Sequence, residues 1–128
     1  MAMKFTAVPG PNGAFISFGD MYGRLYDCTC DSSYPNTGND SNSGYKVTGQ
    51  VALSQVLYGF PDPKTQPAMG IPAQYRPDTG YIRLVLPTGN ANLSANGNYG
   101  NNSVGNGIEL ANNTNCSTLT YRFLFLGY

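Results

Sequence analysis

The chain has 128 residues, no net formal charge at pH 7, only 11% charged side chains and no histidine. This length suits one domain that buries roughly two thirds of the surface of the unfolded chain. With basic residues scattered singly, nothing forms the electrostatic footprint expected for nucleic acid or anionic lipid, so neither is expected as a partner. Sixteen Gly, nine Pro, ten Tyr and six Phe favour strands and turns over helices. The expected fold is all-β: a single antiparallel β-sandwich or jelly-roll-like domain, residues 1–128, with long Asn/Gly-rich loops.

Taken in order, "KFTAV" and "AFISF" flank the turn-forming "PGPNG" and predict an opening hairpin. A third strand is expected through "RLYDCTC", residues 24–30. Residues 31–44 are turn-forming throughout and hold no aliphatic anchor, which predicts an exposed loop. Strand resumes at Tyr45. After Gly49, the spacing of Leu53, Val56 and Leu57 fits one or two helical turns, while strand stays equally open. Five prolines between Pro61 and Pro77 exclude a helix or a central strand but allow edge pairing. "PDTG" then turns into the strand "YIRLVLP". Residues 88–107 contain seven Asn and five Gly and predict a long excursion with little to bury. The ending, "IELANNTNCSTLTYRFLFLGY", reads as strand, turn and strand.

That last strand has two unlike faces. Leu119, Tyr121, Phe123 and Phe125 form a core face, because alternate residues in a strand point the same way. Thr120, Arg122, Leu124 and Leu126 form the other, which begins polar and ends apolar. Leu124 and Leu126 therefore need a cover, from the chain's own loops or from another copy.

The absence of histidine removes the commonest general base, the common nucleophile pairs and the commonest metal ligand. The seven acids fall mostly in turn contexts, where Asp bonds local backbone, and no catalytic pair stands out. Cys28 and Cys30 share one face of their strand. With Cys116 as the sole further thiol, the three are expected to be buried small hydrophobes rather than a metal site or a disulfide. No cofactor or metal is expected. The start, "MAMKFTAVPG", does not resemble a signal peptide, which implies synthesis in the cytoplasm.

Over residues 43–128 the chain resembles small structural proteins of tailed bacteriophages. Tyr45, Thr48, Gly49 and Leu53 fit that group's first element, with Gln50 in place of a second Gly. Tyr75, Asp78 and Gly80 partly fit a second, and Glu109, Thr114, Ser117 and Gly127 a third, from which Asn113, Asn115 and Cys116 depart. The resemblance implies a capsid decoration or cement protein located in the virion. Its expected partners are copies of itself, as a trimer for example, and the major capsid protein or another virion protein. The interface candidates are Pro61, Pro63, Pro67, Ile71, Pro72, Leu124, Leu126 and Tyr128.

Two rival readings are kept. A carbohydrate- or receptor-binding module would use the loop residues Tyr34, Tyr99, Asn101 and Asn102 for stacking and amide contacts. Asn101 and Asn102, in "YGNNS", also resemble the paired ligands in the calcium loop of bacterial galactophilic lectins. Ser94 replaces that family's Asp, which removes the carboxylate a divalent ion needs. A subunit of an extracellular filament would instead donate its terminal strand to a neighbour.

Overall fold

The computed structural model describes residues 2–10, 15–86 and 108–128, the side chains of Phe18 and Ile108 excepted. Among these residues, nine strands lie in two antiparallel sheets. Sheet A contains β1 (Lys4–Ala7), β2 (Phe15–Phe18), β3 (Met21–Thr29), β5 (Val56–Pro63) and β9 (Thr120–Gly127). It runs in the order β1, β3, β9, β5, with β2 also on β3. Sheet B contains β4 (Tyr45–Lys46), β6 (Ala73–Arg76), β7 (Tyr81–Leu86) and β8 (Ile108–Glu109). In sheet B, β6 lies along one side of β7, which also pairs with β4 near its start and with β8 near its end. The expected all-β sandwich is what the chain forms.

Sheet A depends on β9, which pairs with β3 from Thr120 to Gly127 and with β5 from Tyr121 to Gly127. Phe123 and Phe125 are fully buried, with their rings stacked 5.1 Å apart. Phe125 also meets Tyr26, Tyr75 and Phe5 at ring distances of 6.1, 6.0 and 6.4 Å. Ile82, Leu84 and Leu86 of β7 supply the facing layer. The expected core face of the last strand is thus confirmed residue by residue. At its end, Gly127 leaves no room for a side chain, since a Cβ there would lie 1.8 Å from the Gln55 carbonyl oxygen.

Several local expectations are corrected. The segments 4–8 and 14–18 do not form a hairpin together. Instead β1 and β2 follow one another along the same side of β3, and the hairpin is β2–β3, closed through Gly19 and Asp20. Residues 48–55 form turns rather than helix, and β5 starts at Val56 with a register shift between Val56 and Tyr58. The proline segment behaves as expected at first, because β5 is an edge strand carrying Pro61 and Pro63. It then makes a short 3-10 turn, Gln66–Gly70, with Pro67 in its first turn, where the missing N–H costs nothing. The 88–107 excursion lies outside the described residues, as do the "PNG" of the opening turn and Tyr99, Asn101 and Asn102.

The loop 31–44 also departs from expectation. Tyr34 is fully buried and Ser43 nearly so. The Tyr34 hydroxyl donates to Glu109 Oε2 at 2.7 Å and accepts the Leu84 N–H at 3.2 Å. Ser43 Oγ donates to the same carboxylate oxygen, and Asn36 Nδ2 donates to the Leu110 carbonyl at 2.9 Å. Burial and the neighbouring Glu109 charge push the Tyr34 phenol far up, so it stays a neutral donor. Tyr34 is therefore not a ligand-facing side chain. It is the anchor that an aromatic residue provides where no aliphatic one is present.

All three cysteines are free and buried. Desolvation raises the Cys28 thiol far above its ordinary value. Cys116 Sγ lies 3.2 Å from the Tyr45 hydroxyl and 3.4 Å from the Asp31 carbonyl oxygen, inside the wall of the sandwich.

Replacing Tyr34 by Phe keeps the ring but leaves the Leu84 N–H buried without its acceptor. Urea denaturation is expected to show a loss of about 1–3 kcal/mol. Unchanged stability would contradict the anchoring role.

Candidate assembly surface

The outer face of sheet A follows from register. Across the sheet, Lys4, Thr29 and Thr120 form one row, and Thr6, Asp27, Arg122 and Asp62 the next. Then come Leu25, Leu124 and Phe60, followed by Ile16, Gly23, Leu126 and Tyr58. The face therefore changes from polar to apolar along its length, as the alternation within β9 predicts.

At the polar end, Asp27 receives Arg122 Nε at 2.8 Å and Arg122 Nη2 at 3.1 Å, a forked contact that fits carboxylate geometry. Lys64 Nζ completes the cluster. The Arg122 hydrogen bond, aided by Lys64, holds the Asp27 carboxyl down to about 2 against desolvation acting the other way. Thr29 and Thr120 share a hydroxyl hydrogen bond of 3.0 Å beside it. These contacts pair the central charges and hydroxyls of the polar half within the chain.

At the apolar end no comparable pairing occurs among the described residues. Tyr58 and Phe60 stack at 6.1 Å and are each 52% exposed, and Ile16 is 40% exposed. Leu25, Leu124 and Leu126 are half-buried between these neighbours. The expected double cover over Leu124 and Leu126 is not what these strands provide. Flanking side chains shield their flanks, and the described residues leave their tips in contact with water. An apolar patch of this kind, bordered on one side by the charged row of Asp27, Arg122 and Asp62, is the sort of surface at which proteins meet partners.

The other interface candidates are spread out. Pro61 and Pro63 are exposed on the free edge of β5. Lys64 N–H donates inward to the Thr120 carbonyl at 2.9 Å, so by alternation the backbone nitrogens at 61 and 63 face outward. Proline at both positions removes two donors from the open edge, which blocks strand addition there. Pro67 and Pro72 are exposed beyond the polar end of β5. Ile71 packs partly against the core, and its carbonyl accepts the Tyr121 hydroxyl. None of these three adjoins Leu124. Tyr128 is 51% exposed past the apolar end, where its N–H donates to the Gln55 carbonyl at 3.0 Å.

Sequence reading missed Tyr58, Phe60, Ile16 and Leu25. The alternation of Tyr58, Phe60 and Asp62 was the available signal, obscured by Gly59 and Pro61 between them. Among the described residues no cluster of three Cys, Asp or Glu side chains is placed to hold a metal ion, and no helix is long and apolar enough to cross a membrane.

A carboxyl held below its unfolded value stabilises the fold above that value and loses the effect as pH falls through the folded value. Asp27 should thus contribute on the order of 1 kcal/mol above about pH 4, allowing for solvent screening, and lose it between pH 3.8 and about 2. Asp27→Asn is expected to remove that acid-limb contribution in a pH series of thermal melts. An unchanged acid limb would contradict the pairing. No protein-family model, curated protein or solved structure matches this chain.

Proposed function

We propose that this is a non-enzymatic structural protein that acts by burying the apolar end of sheet A's outer face against other protein surfaces. The observation that carries this reading is the cluster of Tyr58, Phe60, Leu124, Leu126, Leu25 and Ile16, brought onto one face by the pairing of β2, β3, β9 and β5. The resemblance of residues 43–128 to small structural proteins of tailed phages gives the context: a decoration or cement protein that self-associates and binds a capsid shell.

Two features support face-to-face association over strand addition. Pro61 and Pro63 disable part of the β5 edge, and β9 already occupies the middle of its own sheet. The charged half of the face is also electrically mixed, with Asp27 and Asp62 beside Arg122 and Lys64, so two copies or a neutral partner meet it without a net repulsive field. A stable interface of standard size buries roughly 1,200–2,000 Å² in total. The patch therefore supplies an anchor, and the flanking polar rows the rim.

Sedimentation velocity over a concentration series tests this directly. The wild type is expected to associate, and Tyr58→Glu with Leu124→Arg is expected to shift the equilibrium toward monomer by at least about tenfold, since a charge buried without a partner costs several kcal/mol. Co-sedimentation with purified shells should be lost in the same variant while its thermal melt stays cooperative. A wild type that is monomeric and does not bind shells would overturn the reading.

A further inference from the structure

The three cysteines are not equivalent. Cys30 follows the last residue of β3, and its N–H donates to the Leu119 carbonyl at 3.0 Å. Cys116 opens the turn that leads into β9. Its carbonyl accepts the Leu119 N–H at 2.9 Å, and its own N–H donates to the Asp31 carbonyl at 3.1 Å. The two backbones are thus tied together through Leu119 and Asp31. In the core beside them the two thiols are hydrogen-bonding neighbours, with Cys30 donating to the Cys116 sulfur. Cys116 is held further by the Tyr45 hydroxyl, 3.2 Å from its Sγ.

Cys28 stands apart from this pair. It lies opposite Tyr121 of β9 and Phe5 of β1. Two positions apart on one extended strand, the Cα atoms of Cys28 and Cys30 are separated by roughly 6.8 Å, the outer limit for a disulfide, and their side chains run parallel rather than converging. Only Cys30 and Cys116 come from separate segments that the fold brings side by side.

We propose that Cys30 and Cys116 form a redox pair that closes into a disulfide when the chain folds in the presence of a small-molecule disulfide such as oxidised glutathione. One protein thiolate attacks a glutathione sulfur, which forms a mixed disulfide and releases one glutathione. The second protein thiolate then displaces the other glutathione. The pair loses two electrons and two protons, and the glutathione disulfide gains them. Because Cys30 is 4% and Cys116 2% exposed, the oxidant meets them during folding or local opening rather than in the finished core. The bridge encloses residues 31–115, which include β4 to β8, and a cross-link over so long a loop removes much of the freedom of the unfolded chain. In a reducing compartment the same pair stays as two buried thiols, which the fold also accommodates. Both thiols lie on the inner side of sheet A, so this inference does not rest on the assembly face.

The test refolds reduced, unfolded chain in a glutathione redox buffer and, in parallel, in dithiothreitol. Each product is alkylated with iodoacetamide in denaturant and mapped by peptide mass spectrometry. Oxidative refolding is expected to leave Cys28 alone alkylated and to link the peptides that carry Cys30 and Cys116. The bridged form is expected to melt above the reduced one, by about 5 °C. Cys28→Ser should form the same bridge, while Cys116→Ser should form none and melt alike in both buffers. Should Cys116→Ser fail to fold, the wild-type map and its paired melts decide. Three alkylated cysteines after oxidative refolding, a link that involves Cys28, a stable glutathione adduct, or a bridged form that melts no higher than the reduced one would overturn the proposal.

Discussion

The pairing of β9 along both of its edges is the constraint on which the rest of the structure depends. A strand with neighbours on each side has its backbone groups satisfied within the sheet, so its side chains alone decide what each face does. Because Phe123 and Phe125 point inward, they gather Tyr26, Tyr75 and Phe5 around them and fix the position of sheet A over β7. Because the period is two, Arg122, Leu124 and Leu126 must point outward. The core therefore dictates the exposed face, and a shift of one residue would exchange them.

The two halves of that face differ in how they are satisfied. Asp27 and Arg122 meet across β3 and β9, with Lys64 joining from just past β5, so the middle of the polar rows is paired within one molecule. Tyr58, Phe60, Leu124 and Leu126 are neighbours of like character, and burying their tips lowers the free energy only if something else arrives. About 25 cal/mol is available for each Å² of apolar area removed from water, partly offset by the cost of association. On the proposed reading, prolines on the β5 edge would leave the face of the sheet as the route for such association.

Much of this was legible in the sequence where a single rule governs the outcome. Alternation in the last strand yields its core face, and prolines mark β5 as an edge. Composition identifies the all-β class. What was not legible depends on pairing between distant segments. Nothing local distinguishes a β1–β2 hairpin from two short strands laid end to end on β3, since both satisfy the same turn signals. Tyr34 sits in a run of turn residues, and only its meeting with Glu109, 75 positions away, makes it an anchor. Tyr58 and Phe60 gain meaning only beside Leu124 and Leu126.

The central claim is that Leu124 and Leu126 lie at a protein–protein contact, and methyl NMR addresses it most directly. Spectra of methyl-labelled protein would be recorded from dilute to concentrated solution and then with purified shells. The methyl signals of Ile16, Leu25, Leu124 and Leu126 are predicted to shift or broaden while those of Ile82 and Leu84 in the core stay fixed. Association that leaves all four outer-face residues unmoved would contradict the account.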